Sequence, residues 1–253
     1  MDENVLVKNL LPCVKEAGSK IIDIYNSKPN AEQKHDGSPV TIADKAAEKI
    51  IIKKIKSLCP SIPIVSEENP ESHNLKSLSD FFLVDPLDGT KEFLKFDGMG
   101  SFTVNISLIK KNEPIIGIVY APALNRLFYA SRTLGSFEKN KTGLKEIKIR
   151  KIEKNNIIAV ASSSHLDNET KNWLKINNIA RTVSIGSSLK FCLVASGEAD
   201  VYPRFGPTME WDTAAGDAVL RYAGGRVEYL NGSKFTYGKK NFKNTPFIAK
   251  GDF

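Results

Sequence analysis

Asp85 and Asp88 stand three residues apart around Pro86-Leu87, and Gly89-Thr90 follows at once. Carboxylates so spaced offer the hard oxygens that magnesium prefers, and the Leu87 carbonyl between them is a further oxygen. Gly89 permits a positive φ or a close backbone approach. Thr90 opens what reads as a helix, where a hydroxyl can cap and N–H groups lack partners. Such N–H groups make a cradle for phosphate. Metal ligands and an anion cradle on one turn suit phosphoryl chemistry. The same residues also favour an ordinary loop turn, so the motif alone carries both readings.

That turn needs elements to hold it. The apolar run Phe81-Phe82-Leu83-Val84 reads as a buried strand that delivers Asp85, and Lys91-Glu92-Phe93-Leu94 as the first turn of a helix. Upstream, Ile64-Val65 is a short strand running into Ser66-Glu67-Glu68. Two glutamates there are either a solvated turn or site residues at a strand's carboxyl end. Asp44 falls in the first turn of a helix that runs to about Leu58. It either complements the helix dipole or joins the metal site, and local sequence does not separate the two. Asp212 opens a helix from Trp211 to Ala223 and admits the same pair of readings. The buried look of Trp211, Ala214, Ala215, Ala218 and Val219 aims it at an interface within the protein. Asp217, farther along, reads as solvated or paired along the helix.

Around these pieces the chain divides. Asn4 to Asn26 is an amphipathic helix, and residues 69 to 80 form a polar loop with His73 at the surface. Ser101–Ile109, Pro114–Tyr120, Arg126–Ser131 and Gly135–Glu138 read as antiparallel strands. Residues 139 to 156 are charged and lack periodicity, and a boundary is expected within them. Beyond it strands and helices alternate: a strand at 157–162, a helix at 167–177 with Trp173 and Leu174 in its core, a strand at 182–184, a small helix at 187–196 and a strand at 199–202. The expectation is one α+β domain over residues 1–145 carrying most metal ligands, and an α/β domain over 146–253 contributing Asp212 and substrate contacts.

Composition narrows the function classes. The 253 residues are 41% hydrophobic and 26% charged, which is ordinary for a globular protein with a sizeable core. No apolar run is long enough to span a bilayer, and the polar start Met1-Asp2-Glu3-Asn4 is no signal peptide. Cys13, Cys59 and Cys192 are far apart and without metal-ligand spacing, as expected of reduced thiols in the cytoplasm. The net charge of +7 comes mostly from scattered lysines. Pairs such as Lys239-Lys240 read as solvated faces. No basic stripe interleaved with aromatics points to nucleic acid, so the charge is taken as a mild bias toward small anions. No Gly-x-x-x-x-Gly-Lys-Ser/Thr loop supports a nucleotide kinase.

Three stretches, taken together, resemble the lithium-sensitive, magnesium-dependent phosphatases of the inositol monophosphatase superfamily. They are Asp85-Pro86-Leu87-Asp88-Gly89-Thr90-Lys91-Glu92-Phe93, Ser66-Glu67-Glu68 and Trp211-Asp212-Thr213-Ala214-Ala215-Gly216. Ser188-Leu189-Lys190-Phe191-Cys192-Leu193-Val194-Ala195 and Tyr202-Pro203-Arg204-Phe205-Gly206-Pro207 resemble its bacterial 3′(2′),5′-bisphosphate nucleotidase branch. The resemblance covers about residues 4 to 245. It implies a layered α/β/α/β/α sugar-phosphatase-like fold with the site between two halves. It implies two or three Mg²⁺ ions held by Glu67, Asp85, Asp88, Asp212 and the Leu87 carbonyl. Asp44, Thr90 and Glu67 would be the catalytic set, with Asp44 and Thr90 orienting the attacking water or Asp44 serving a further ion. Gly89 and Thr90 would bind the scissile phosphate. His165, Ser187, Lys190, Arg204 and Asp212 would lie near a nucleoside bisphosphate, Glu68 would support the metal ligands, and Arg204 reads equally well as a strand-end ion pair.

The resemblance implies hydrolysis of the 3′-phosphate of adenosine 3′,5′-bisphosphate to AMP and phosphate by direct attack of water. An inositol or sugar phosphatase is the alternative of the same class, and a nucleotide-binding sensor without turnover the alternative of another. A small-molecule substrate is expected, with no nucleic-acid partner and no integral membrane association. Peripheral attachment to the inner membrane face and the choice between monomer and homodimer stay open.

Overall fold

The Asp2 carboxylate accepts from the Asn4 and Val5 N–H groups, capping the first helix. The computed structural model describes residues 2–27, 32–33, 39–40, 42–76, 78–95, 100–152, 156–161, 167–179 and 181–253. From the cap, α1 (Glu3–Asn26) buries Leu6, Val7, Leu10, Val14, Ala17 and Ile21 at helical spacing. A short ribbon of β1 (Glu32–Gln33) and β2 (Pro39–Val40) precedes α2 (Ile42–Leu58), which buries Ala43, Ala47, Ile51 and Ile55. Then come β3 (Ile64–Ser66), a 3₁₀ turn at Pro70–Asn74, β4 (Asp80–Asp88) and α3 (Thr90–Lys95). An antiparallel series follows: β5 (Thr103–Lys110), β6 (Glu113–Ala121), β7 (Arg126–Ser131), β8 (Gly135–Asn140) and β9 (Gly143–Glu146). After it come β10 (Ile158–Ala161), α4 (Asn168–Ile176), β11 (Arg181–Ser184) and α5 (Leu189–Ala195). The chain ends with β12 (Val201–Arg204), α6 (Glu210–Tyr222), β13 (Arg226–Tyr229) and β14 (Phe247–Lys250).

The strands build a seven-stranded sheet, ordered β3 through β9 in sequence, and a five-stranded sheet ordered β11-β10-β12-β14-β13. Side chains alternate across a strand, so β4 feeds two cores. Phe82 and Val84 join α1 and α2, whereas Phe81 and Leu83 join α5, α6 and the smaller sheet. Helix α6 lies against β6 at Gly117, where a Cβ would meet the Ala215 carbonyl oxygen at 2.3 Å. Beyond the smaller sheet, Trp173 and Leu174 of α4 pack on Ala159, Val201 and Ile248. The order of layers is therefore α1/α2, large sheet, α5/α6, small sheet, α4, the α/β/α/β/α stack expected.

Several local readings change. Strand β9 is exposed at all four residues, so no alternation betrayed it, and β13 and β14 were not read at all. Trp173 and Leu174 are half-buried at the edge of the small cluster. His73 is half-buried rather than simply solvated. Its Nε2 lies 2.8 Å from the Ser66 carbonyl and its ring stacks on Trp211 at 4.6 Å between centroids. Lys239 is not solvated: it pairs with buried Glu210 and lies over Phe235 and Tyr237. Asp217 is buried rather than solvated, and it does pair along its helix with Arg221.

Candidate active site

Asp85 faces Asn105 and Asp88 faces Thr103 in the β4–β5 ladder. Three steps on one strand answer two on the other, so β4 carries an extra residue and bulges there. Pro86 fits a bulge because it has no N–H to pair. The bulge re-aims both carboxylates. Asp85 Oδ1 accepts from the Leu87 N–H at 3.0 Å, while its buried Oδ2 has no hydrogen-bond partner among the described residues. Gly89 has a φ of +88°, and a Cβ there would press to 3.3 Å from the Phe102 Cα. The Thr90 hydroxyl does not cap the helix start by accepting. It donates back to the Leu87 carbonyl at 3.2 Å.

Two neighbours bring further carboxylates. Parallel pairing sets Ser66 beside Val84, and the Glu67 N–H continues the ladder to the Val84 carbonyl at 3.1 Å. Glu67 thus emerges beside Asp85. Asp212, third in α6, accepts the Met209 N–H on Oδ2 at 2.8 Å. One carboxylate oxygen each from Glu67, Asp85 and Asp212 lie within 4.8 Å of one another. Asp44 is 3% exposed in the first turn of α2, and its charge is felt at Asp85.

Crowding shows in the proton affinities. Burial raises the Asp85 carboxyl well above the usual carboxylate range, and the charges of Glu67, Asp88, Asp212 and Asp44 raise it further. Burial likewise raises Asp212, with Asp88 and Glu67 adding. For Asp88, burial pushes the carboxyl up to about 6, although the Lys190 ammonium and the Ser188 N–H favour its charged form. A buried oxygen without a donor, hard ligands from three elements and mutual repulsion all fit a divalent cation.

The second half closes over this cluster. Buried Lys190 of α5 donates from Nζ to the Ser187 carbonyl at 2.6 Å and, more weakly, to that of Ile185 at 3.4 Å. Burial lowers its ammonium to about 8, against the pull of Asp88. Ser187 has a φ of +52°, and its buried hydroxyl oxygen has no partner among the described residues. The Ser188 N–H donates to Asp88 Oδ2 at 2.6 Å. Arg204 donates from Nε to the Gly206 carbonyl and from Nη2 to that of Pro207, so it braces the loop leading to α6. It forms no ion pair of its own among the described residues. Glu68 follows Glu67, half-buried. His165 lies outside the described residues. Sequence reasoning missed Ser188, Thr103 and Asn105. The available signal was polar residues at 103, 105 and 107 of β5, alternating with Val104, Ile106 and Leu108 on the other face.

The family model described as "Inositol monophosphatase family" matches residues 3–249. The chain is 42% identical over 247 residues to the 3′(2′),5′-bisphosphate nucleotidase CysQ of Salmonella typhimurium, covering 96% of this chain and 98% of that protein. It is 44% identical over 238 residues to the protein of the same name from Escherichia coli K12, covering 92% and 94%. Its fold matches the crystal structure of CysQ from Bacteroides thetaiotaomicron, a bacterial member of the inositol monophosphatase family. The TM-score there is 0.80, with 34% identity and 95% of each chain covered.

Proposed function

The chain belongs to the inositol monophosphatase family, and from that premise we propose that it removes the 3′-phosphate of adenosine 3′,5′-bisphosphate to leave AMP and phosphate. It is a phosphoric monoester hydrolase acting on a small-molecule bisphosphate. The observation that carries the reading is the convergence of Glu67, Asp85 and Asp212 oxygens within 4.8 Å, with the Ser187–Lys190 stretch of the second half tied to it through the Ser188 N–H bond to Asp88. Carboxylates alone would suit any member of the family. The cationic second-half wall favours a substrate with a second phosphate.

Glu67, Asp85, Asp88 and Asp212, with the Leu87 carbonyl, would hold two or three Mg²⁺ ions. When bound, magnesium supplies Lewis acidity at the phosphoryl oxygens and lowers the pKa of a water. The chain's own residues do the rest. Thr90 Oγ1 spends its hydrogen on the Leu87 carbonyl, which leaves its lone pairs to orient an incoming water. Asp44 is the proton acceptor for that water. The water oxygen bonds to phosphorus, the P–O3′ ester bond breaks, and the leaving 3′-oxygen takes its proton from a solvent water while Asp44 returns the proton it accepted to solvent. Gly89 and Thr90 N–H groups bind the scissile phosphate. The Ser187 hydroxyl, unpartnered among the described residues, and the Lys190 charge bind the second phosphate and ribose, with Arg204 at the pocket's rim. Residues 1–145 and 146–253 act as the two walls of the site. The reaction is set in the cytoplasm, in keeping with three cysteines that are all free thiols. No helix among the described residues is long and apolar enough to cross a membrane.

The test compares phosphate release in magnesium from adenosine 3′,5′-bisphosphate, inositol 1-phosphate and fructose 1,6-bisphosphate. The nucleotide should have the highest kcat/KM. Preference for inositol 1-phosphate would keep the metal site and move the substrate. Tight nucleotide binding with no release from any of the three would mark a sensor.

A further inference from the structure

Three buried side chains close a ring beneath the carboxylate turn. The Ser188 hydroxyl donates to Asn105 Oδ1 at 2.6 Å, Asn105 Nδ2 donates to Thr103 Oγ1 at 3.2 Å, and the Thr103 and Ser188 oxygens are 2.9 Å apart. Ser188 has already given its only hydrogen to Asn105, so Thr103 is the donor in the last contact. The bonds therefore run head to tail, each group giving one and receiving one. Thr103, Asn105 and Ser188 are 0%, 1% and 2% exposed. With water excluded, a closed ring holds one geometry, and breaking any member leaves the others unsatisfied.

Its location gives the ring a task. Thr103 is the cross-strand partner of Asp88 and Asn105 that of Asp85. Ser188 comes from the other half of the chain, 85 and 83 residues away from its two partners. The same residue's N–H holds Asp88 Oδ2. Ser187 just before it sits at a φ of +52°, a left-handed conformation that a non-glycine residue keeps only when its surroundings impose it. A hydroxyl ring on one side and the Lys190 ammonium on the other supply that constraint.

We infer that Thr103, Asn105 and Ser188 are positioning residues: the ring fastens the 185–188 loop to β5 and so fixes the orientation of Asp88 for cation binding. The inference rests on the reading of Asp88 as a metal ligand. It assigns the polar face of β5 a part in assembling the site across the two halves, without contact to substrate.

The test uses Ser188→Ala, which deletes the hydroxyl but keeps the N–H; Thr103→Val, which keeps the shape; and Thr103→Ser, which keeps the hydroxyl. Circular dichroism first establishes which are folded. Mn²⁺ binding is then measured by calorimetry, alongside the Mg²⁺ needed for half-maximal phosphate release. Ser188→Ala and Thr103→Val should each weaken Mn²⁺ binding about 10-fold, as loss of a group that orients a ligand does. The double variant should be little worse than either single, because the ring breaks once. Thr103→Ser should stay within about twofold of wild type, the mark of a role carried by the hydroxyl. Folded variants with lowered melting temperature but wild-type Mn²⁺ affinity would overturn the inference, leaving the ring a packing feature. Ser188→Ala, the smaller change, decides alone if Thr103→Val does not fold. A wild type that binds Mn²⁺ but releases no phosphate refutes the proposed reaction instead, and the ring is still judged by ion binding.

Discussion

Asp212 and Asp217 lie on one helix and have opposite surroundings. Asp217 is fully buried and complete: Arg221 grips both its oxygens at 2.6 and 3.0 Å, and the Tyr237 hydroxyl adds a bond at 2.8 Å. Asp212 receives one N–H, and among the described residues neither it, Asp85 nor Asp88 forms an ion pair with a lysine or arginine. The rest of the molecule follows Asp217. Asp200 is held by Arg150, Glu210 by Lys239, and Glu138 by Arg126 and Lys145. Buried carboxylates used for architecture carry their own cation, whereas Asp85 and Asp212 feel chiefly burial and the charges of neighbouring carboxylates. Asp85 Oδ2 is buried with no hydrogen-bond donor among the described residues, which calls for a reason beyond packing.

Substitution separates the two groups most sharply. Asp85→Asn should cut phosphate release by about 100-fold or more, beyond what losing a supporting residue costs. It should also raise the melting temperature of the metal-free protein, since a repelled buried charge is gone. Activity assays and calorimetric melting read the two signs. Asp217→Asn should do the reverse. It strands the Arg221 charge and should cost about 3–5 kcal/mol of stability in a denaturant titration, while the folded fraction keeps its kcat. A lower melting temperature for metal-free Asp85→Asn would erase the distinction.

Acidity sharpens the same contrast. The Asp88 carboxyl rises to about 6 on folding, and Asp85 and Asp212 rise as well, from about 3.9 in an unfolded chain. Groups with raised folded values bind protons more tightly in the native state. Their contribution is complete below about pH 4 and is lost as pH climbs through 6 and above. Melting of the metal-free protein should therefore fall between pH 5 and 7.5, and the rise in melting temperature on adding Mg²⁺ should grow over the same interval. A magnesium effect independent of pH would mean that these carboxylates do not bind it. The smallest change is expected at Lys145→Ala. Lys145 is 56% exposed and Glu138 keeps Arg126, so stability should move by less than about 1 kcal/mol and activity not at all.

Legibility in the sequence followed the range of the forces involved. Asp85 to Thr90 could be read because Pro86, Gly89 and the aspartate spacing act locally. Asp44 and Asp212 stayed double-valued, since a helix start is reason enough for an aspartate and only tertiary approach adds the second reason. The alternation of Thr103, Asn105 and Ser107 in β5 was visible, but all three are buried rather than facing water, at 0%, 1% and 1% exposure. Their covering loop arrives from the far half of the chain. His73 and Lys239 looked like surface residues because polarity was all the sequence offered. Trp211 under one, and Glu210 with Phe235 and Tyr237 against the other, are contacts that only the fold creates.

The most direct measurement is phosphate release from adenosine 3′,5′-bisphosphate under three conditions: with magnesium, with a chelator, and with magnesium plus lithium. Rapid release in magnesium alone, abolished by chelation and suppressed by lithium, is the expected result. Release that survives chelation, or none in magnesium, would contradict the assignment of the Glu67, Asp85 and Asp212 cluster to metal-dependent hydrolysis.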